Sequence, residues 1–199
     1  MRKALLGLIS VIAIVCSLCA QEPREETEKT IEYPSPDGRF AFLFTRPPEG
    51  RKTLDVVEKD SGKILHRIVE SDESFRDRLN AEVIWTPDSK RFAVTYMLNR
   101  RGSGISIYSR TGDTFRELKL PNLPSVELPA NSGDGKITNV DSTSAVRWEK
   151  DGSLVVEIET TKSRAEDVIT ATRTIVLGFD QRDRVKLLKS TQKVKTEKD

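Results

Sequence analysis

The sequence predicts an all-β protein made of three units, each with four antiparallel strands in a meander. Short runs of alternating apolar and polar residues are separated by turn residues, which is typical of antiparallel strands. A tight turn that leads into a strand also occurs three times. The three copies are SPDGRFAF at residues 35–42, TPDSKRFAV at 86–94 and EKDGSLVV at 149–156.

The predicted strands fall into three similar sets of four. In each set the first two strands are joined by the turn that contains an aspartate, and the last two by another short turn, because Asp and Gly favour tight turns. The expected strands are 31–33, 39–45, 53–58 and 63–69 in unit one, 82–85, 91–98, 104–108 and 114–120 in unit two, and 144–149, 153–160, 168–178 and 184–189 in unit three.

Aromatic and apolar side chains at repeated positions predict how the units pack. A large aromatic residue stands three or four positions before each turn aspartate, and we expect it to pack between neighbouring sheets. In units one and two, the residues after the turn place apolar side chains on one face of the strand. These residues are Tyr33, Trp85 and Trp148 before the turns, and Phe40, Phe42, Phe44, Phe92, Val94 and Tyr96 after them.

The repeated segment resembles the PD40 repeat, the WD40-like propeller repeat of TolB-type proteins. The resemblance covers about residues 31–190, and the spacing of about 50–60 residues is in the range of propeller blades. Unit two has Ser89 in place of glycine, and unit three lacks the proline and the phenylalanine. The resemblance implies a propeller-like β domain. Members of this class are mostly binding scaffolds, and some are attached to hydrolases.

Three units are fewer than the four to eight blades of typical propellers. The sequence therefore predicts an open or partial propeller-like stack. Two other arrangements stay open, a sandwich-like packing of the units and a ring completed by further protomers. An open stack would expose edge strands, which proteins protect or use for pairing.

The two ends of the chain are predicted to lie outside the β domain. Residues 1–20 combine Arg2 and Lys3 with an uncharged apolar run, the pattern of a secretory signal. An uncleaved membrane anchor and a lipoprotein site at Cys16 or Cys19 are the alternatives. Residues 21–30 are expected to be a flexible lead-in and 191–199 a disordered tail. Residues 72–79 could form one or two helical turns.

The charge balance and the cysteines limit the function. The chain has 33 basic and 31 acidic residues, and removal of residues 1–20 would take Arg2 and Lys3 away, so the mature chain would carry no net charge. Nucleic acid is therefore not an expected partner. Both cysteines also lie in residues 1–20, so the mature domain has no thiolate metal site. We expect an exported protein, periplasmic or extracellular, without a cofactor.

The meander predicts two different edges. The turn edge carries the tight turns, and the long-loop edge carries the loops 46–52, 99–103 and 161–167 and the connections 70–81 and 121–143. Loops on a rigid sheet often bind ligands, and arginine favours carboxylate, phosphate and sulfate groups. We therefore predict a basic rim that binds an anionic polymer or another envelope protein. Its candidate residues are Arg46, Arg51, Lys52, Arg100, Arg101, Lys162 and Arg164.

No catalytic or metal site is predicted. His66 is the single histidine and lies in a predicted strand, the chain has no G-x-S-x-G motif, and His and Cys do not cluster at metal-binding spacing. The expected function is a non-catalytic exported binding or scaffolding module. The alternatives are a carboxylate-dependent hydrolase and a partial propeller that a partner subunit completes.

Overall fold

Three four-stranded antiparallel sheets make up the computed structural model, which describes residues 26–71, 81–99, 102–130, 132–164 and 166–198. Within these ranges no helix is long and apolar enough to cross a membrane. The strands are β1 Glu28–Glu32, β2 Phe40–Arg46, β3 Lys52–Glu58 and β4 Ile64–Ser71 in unit one, β5 Ala81–Trp85, β6 Arg91–Asn99, β7 Gly102–Thr111 and β8 Thr114–Glu117 in unit two, and β9 Lys136–Trp148, β10 Leu154–Ser163, β11 Asp167–Phe179 and β12 Val185–Lys198 in unit three.

Each sheet is a simple meander, because strands that follow one another in the chain are also hydrogen-bonded neighbours. This confirms the all-β prediction and the division into three four-stranded units. The sheets stack in chain order with unit two in the middle. One hydrophobic core lies between units one and two, and a second lies between units two and three. The stack is open, not a closed ring.

The repeated turn has a structural role that explains its residues. In unit one the Ser35 hydroxyl donates to an Asp37 carboxylate oxygen at 2.6 Å and accepts from the backbone N–H of Phe40 at 3.0 Å. In unit two, Thr86 donates to Asp88 in the same way, at 2.7 Å. A hydroxyl followed two residues later by a carboxylate thus closes the turn with local hydrogen bonds.

The glycine position of the turn requires a left-handed backbone. Gly38 has a φ of 72° and Gly152 a φ of 80°, and Ser89 occupies the same place with a φ of 56°. A serine there needs compensation, since residues other than glycine seldom adopt this conformation. The fully buried Ser89 hydroxyl accepts a hydrogen bond from the backbone N–H of Asp37 at 2.9 Å. Ser89 thereby joins the turns of units one and two.

The core between units one and two is largely aromatic. The phenylalanines of β2 meet side chains of unit two, and the Phe92 ring stacks on Tyr108 with centroids 4.9 Å apart. The predicted apolar faces of β2 and β6 are confirmed by these contacts. The buried members are Phe40, Phe42, Phe44, Leu54, Val56, Ala81, Val83, Phe92, Val94, Tyr108 and Phe115, with Tyr33, Trp85 and Tyr96 packed against them.

The two tryptophans link neighbouring units through equivalent hydrogen bonds. Trp85 of unit two donates its indole N–H to the Tyr33 carbonyl of unit one at 3.0 Å, and Trp148 of unit three donates to the Ile84 carbonyl of unit two at 3.1 Å. Unit one has Pro34 at the tryptophan position. No sheet precedes unit one among the described residues, so this unit makes no equivalent link there.

The connection from unit two to unit three covers part of the second core. Leu118 is buried, and Leu120, Leu123 and Val126 pack against this core. β8 ends at Glu117 and β9 begins at Lys136, so the predicted loop 121–143 is wrong in its last third. Its last eight residues belong to β9, because they pair with the long strand β10.

The predicted ends of the β domain also differ from the structure. β1 begins at Glu28, inside the expected lead-in 21–30, and pairs with β2. Residues 191–198 were expected to be a disordered tail but continue β12, where they pair with residues 167–174 of β11. Charged residues can form such a strand because the ladder uses backbone groups only. The predicted signal 1–20 and the predicted helical turns 72–79 lie outside the described residues.

Candidate functional site

Ion pairs on the turn edge join unit one to unit two. Arg110 donates to Asp37 at 2.9 Å, and Arg39 donates to Asp113 at 2.9 Å. The first pair is partly buried and the second is exposed. Burial raises the pKa of Asp37, but hydrogen bonds from Ser35, from the backbone of Arg39 and from Arg110 outweigh it, so the pKa lies below its ordinary value.

Asp183 is the corresponding link between units two and three. It accepts hydrogen bonds from Arg91 at 3.0 and 2.5 Å and from the Ser109 hydroxyl at 2.5 Å, and an Arg116 nitrogen lies 3.7 Å away. Burial raises the pKa of Asp183, but the hydrogen bonds and the charge of Arg91 lower it below its ordinary value. Asp183 therefore stays ionised.

A groove of about 380 Å³ opens beside Asp183, where the end of unit two meets the last turn of unit three. One wall follows β8 and the start of the inter-unit connection, and the other is the β11–β12 turn. Buried Leu118 and half-buried Leu120, Pro121 and Val185 give the groove apolar surface. The lining residues are Arg116, Leu118, Lys119, Leu120, Pro121, Arg182, Asp183, Arg184 and Val185.

The groove is positively charged. Four of its lining side chains are cationic and one is a carboxylate. Asp183 is already engaged by Arg91, and Arg184 donates to Asp180 at 2.6 Å. In the described part of the chain, Lys119 and Arg182 have no ion-pair partner. Exposed cations beside apolar surface can hold an anionic ligand that also carries an apolar or ring portion.

The cations predicted for unit one on the long-loop edge are held by local partners. Arg46 is the last residue of β2, not a loop residue, and contacts Glu28 at 3.5 Å. Its guanidinium lies over the Phe44 ring, 5.0 Å from the centroid. Arg51 donates to Glu70 at 3.0 Å. Lys52 begins β3 and is half-buried.

The cations predicted for unit three are also locally bonded. Arg164 makes a two-pronged contact with Asp167, at 2.6 Å for each bond, and donates to the Ser132 carbonyl at 3.2 Å. Lys162 lies in β10 and donates to the Gly133 carbonyl. The strands of units one and three do not touch each other, because unit two lies between them.

Arg100 and Arg101 of the predicted rim lie outside the described residues. The loop they were assigned to is shorter than predicted, since β6 extends to Asn99 and β7 starts at Gly102. The structure thus gives local partners to Arg46, Arg51, Lys162 and Arg164 without joining them into one cluster.

His66 is half-buried and contacts one residue of the first core, Tyr108. Its ring lies 5.6 Å from the Tyr108 ring in an edge-on arrangement. Burial, and then the charge of Glu117, raise the pKa of Tyr108 to about 12. Among the described residues, no group of three or more His, Cys, Asp or Glu side chains is placed to hold a metal ion.

The groove was not predicted from the sequence. Its two walls, 116–121 and 182–185, are about 60 residues apart in the chain, close to the repeat length. The available signal was the pair of short basic segments, Arg116 with Lys119 and Arg182 with Arg184, each beside the last turn of its unit. Only packing of units two and three shows that these segments face each other.

Comparison with known proteins gives no match to a protein family, to a curated protein or to a solved structure. The structure supports a stack of three four-stranded antiparallel sheets that is compatible with a partial propeller. It does so without assigning the repeats to a family.

Proposed function

We propose that this protein is an exported, non-catalytic binding module that holds an anionic polymer, or an acidic surface of an envelope protein, in the groove beside Asp183. The observation that carries the proposal is the charge of this groove. Lys119 and Arg182 are exposed, lack carboxylate partners among the described residues, and stand beside apolar surface. Free cations on a rigid wall bind anions at low ordering cost.

The groove is a better candidate than the basic rim predicted from the sequence. In the rim, Arg51 and Arg164 are bonded to carboxylates, which a ligand would have to displace. In the groove, Asp183 is already paired with Arg91, which holds one wall in place. Within the residues that the structure describes, Lys119 and Arg182 therefore have no carboxylate that a ligand would have to displace. The two walls of the groove belong to units two and three, which pack directly on each other, whereas the described rim residues belong to units one and three, which do not touch.

We also propose that the units are PD40-type repeats and that residues 1–20 direct export. The hydrogen bonds of Ser35 and Thr86 with their turn aspartates support the repeat assignment, since they explain the residue types of the motif. The apolar run after Arg2 and Lys3 supports export. The mass of the secreted chain tests this: a chain that begins at Gln21 is expected, and a full-length chain would contradict cleavage.

Retention on immobilised heparin, a sulfated polyanion, tests the binding proposal. A triple variant, Arg116→Ser with Lys119→Ser and Arg182→Ser, should bind about tenfold more weakly, since each exposed pair contributes about 0.5 kcal/mol. The matched control, Lys59→Ser with Lys63→Ser and Lys150→Ser, removes the same charge from other turns. It should retain nearly the binding of the unaltered protein.

Two outcomes would overturn the groove as the binding site. An equal loss of retention in the control variant would show that heparin binding depends only on the overall charge of the protein. A loss confined to Arg100→Ser with Arg101→Ser would instead place binding at the long-loop edge. Both comparisons should be run at several salt concentrations, because screening weakens surface charge interactions.

A further inference from the structure

β12 is a long strand at the edge of unit three. It has 14 residues and pairs with β11 on one side, and within the described residues no strand pairs with its other side. About half of its backbone N–H and C=O groups therefore point away from the sheet. Such an edge can accept an additional strand.

The side chains of β12 are strongly basic. The strand contains five lysines and one glutamate. Three of the lysines, Lys189, Lys193 and Lys195, pair with Val176, Thr172 and Thr170 of β11, which alternate with the buried Ile175, Ala171 and Ile169. These three lysines therefore lie on the sheet face turned away from the core.

Apolar side chains accompany the lysines. Leu187, Leu188 and Val194 are exposed to 41%, 60% and 45%. Leu188 is the extra residue at a bulge opposite Val176 and Leu177, and it lies over Gly178. A strand added beside β12 would thus meet both lysines and apolar surface.

We propose that the free edge of β12 docks an extended acidic segment of a partner protein, which adds to unit three as a fifth strand. The two candidate partners for this edge are an acidic segment and a second copy of this chain, and the charge of β12 favours the acidic segment. Opposite charges across a strand pair stabilise it, whereas pairing two copies of β12 would bring together five lysines and one glutamate from each copy. Val185, the first residue of β12, also lines the groove, but the proposal concerns the lysines and the free backbone edge of the rest of β12 and does not depend on the groove.

A synthetic peptide of alternating Glu and Val residues, long enough to match β12, tests the proposal with the full mature chain. Fluorescence anisotropy should show binding, and hydrogen exchange should show newly protected amides in β12. The same peptide N-methylated at every amide should bind at least about tenfold more weakly, because it cannot form a backbone ladder. Comparable binding of the N-methylated peptide, or unchanged exchange in β12, would overturn strand addition.

Charge reversal tests which partner the edge selects. Lys189→Glu with Lys193→Glu and Lys195→Glu should weaken binding of the acidic peptide about tenfold or more and create binding of a Lys–Val peptide. Lys59→Glu with Lys63→Glu and Lys150→Glu is the matched control and should bind as the unaltered protein does.

A variant that keeps the strand fold, a test for dimers and the groove variant complete the experiment. Replacing the same three β12 lysines by Thr preserves strand propensity, so this variant should fold and should lose part of the binding. A dimer of the unaltered protein that pairs through β12 would overturn the choice of an acidic partner. The groove variant should bind the peptide normally, so failure of one proposal is distinguishable from failure of the other.

Discussion

The substitution Asp183→Asn should loosen the contact between units two and three. Asp183 accepts hydrogen bonds from Arg91 and Ser109, and both members of the Arg91 pair are only 22% exposed. Asparagine keeps the shape and also tolerates the left-handed backbone at this position, where φ is 57°. The change therefore removes the charge with little effect on the turn itself.

The expected cost is about 2–3 kcal/mol of unfolding free energy. One hydrogen bond to a charged group contributes about 1.5–3 kcal/mol. The bonds from Arg91 and Ser109 all end on one carboxylate, and the site is partly exposed, so we expect a total only slightly larger than the contribution of a single bond. For a domain of this size, the midpoint of thermal unfolding should fall by about 5–10 °C. The cation of Arg91 would also lose its partner while half-buried.

Urea and thermal unfolding followed by circular dichroism measure the effect. Asp113→Asn is the matched control, because Asp113 and Arg39 also join two units but are 62% and 55% exposed. It should cost no more than about 0.5 kcal/mol. A double-mutant cycle of Asp183→Asn with Arg91→Met should show a coupling of about 1 kcal/mol or more. Equal stability of the two Asn variants, or no coupling, would refute the reasoning.

Three further predictions concern the turns and the tryptophan links. Ser89→Ala should cost about 2 kcal/mol, and more than Ser89→Gly, because both remove the acceptor for the Asp37 N–H but only alanine keeps the backbone strain; equal costs in urea unfolding would contradict this. Trp148→Phe should cost about 1 kcal/mol, since the Ile84 carbonyl loses its indole donor, and a variant as stable as the unaltered protein would count against the link. The pKa of Asp180 is lowered from 3.8 to about 2 by backbone hydrogen bonds and by Arg184. Because the unfolded chain takes up that proton first, this contribution to stability should be complete above pH 4 and lost towards pH 2, and Asp180→Asn should flatten that part of a pH series of urea unfolding curves.

The repeat and its strands could be predicted from local residues. The alternation of Phe40, Phe42 and Phe44 places one face of β2 in the core, and the structure confirms this. The need for glycine in the turn could also be predicted from the sequence, and the structure shows Gly38 and Gly152 with positive φ. These features depend on a few neighbouring residues, so the sequence pattern is enough to predict them.

Strand ends were less predictable than strand positions. β9 begins at Lys136, eight residues before the predicted start, and β12 continues to Lys198 through a segment with the composition of a tail. In both cases the partner strand decides the length, because β10 and β11 supply backbone groups for pairing. Side-chain composition carries little information about such pairing.

The sequence by itself determined the fold class, the number of units and the residues of the repeated turn, because hydrophobic alternation and turn chemistry act over a few residues. The tertiary structure alone decided where free positive charge lies. Arg51 and Arg164 are paired with carboxylates of their own units, whereas Lys119 and Arg182 come from different units and meet in one groove. The charge of the groove depends on which side chains of units two and three face each other, and that is fixed only when the sheets stack.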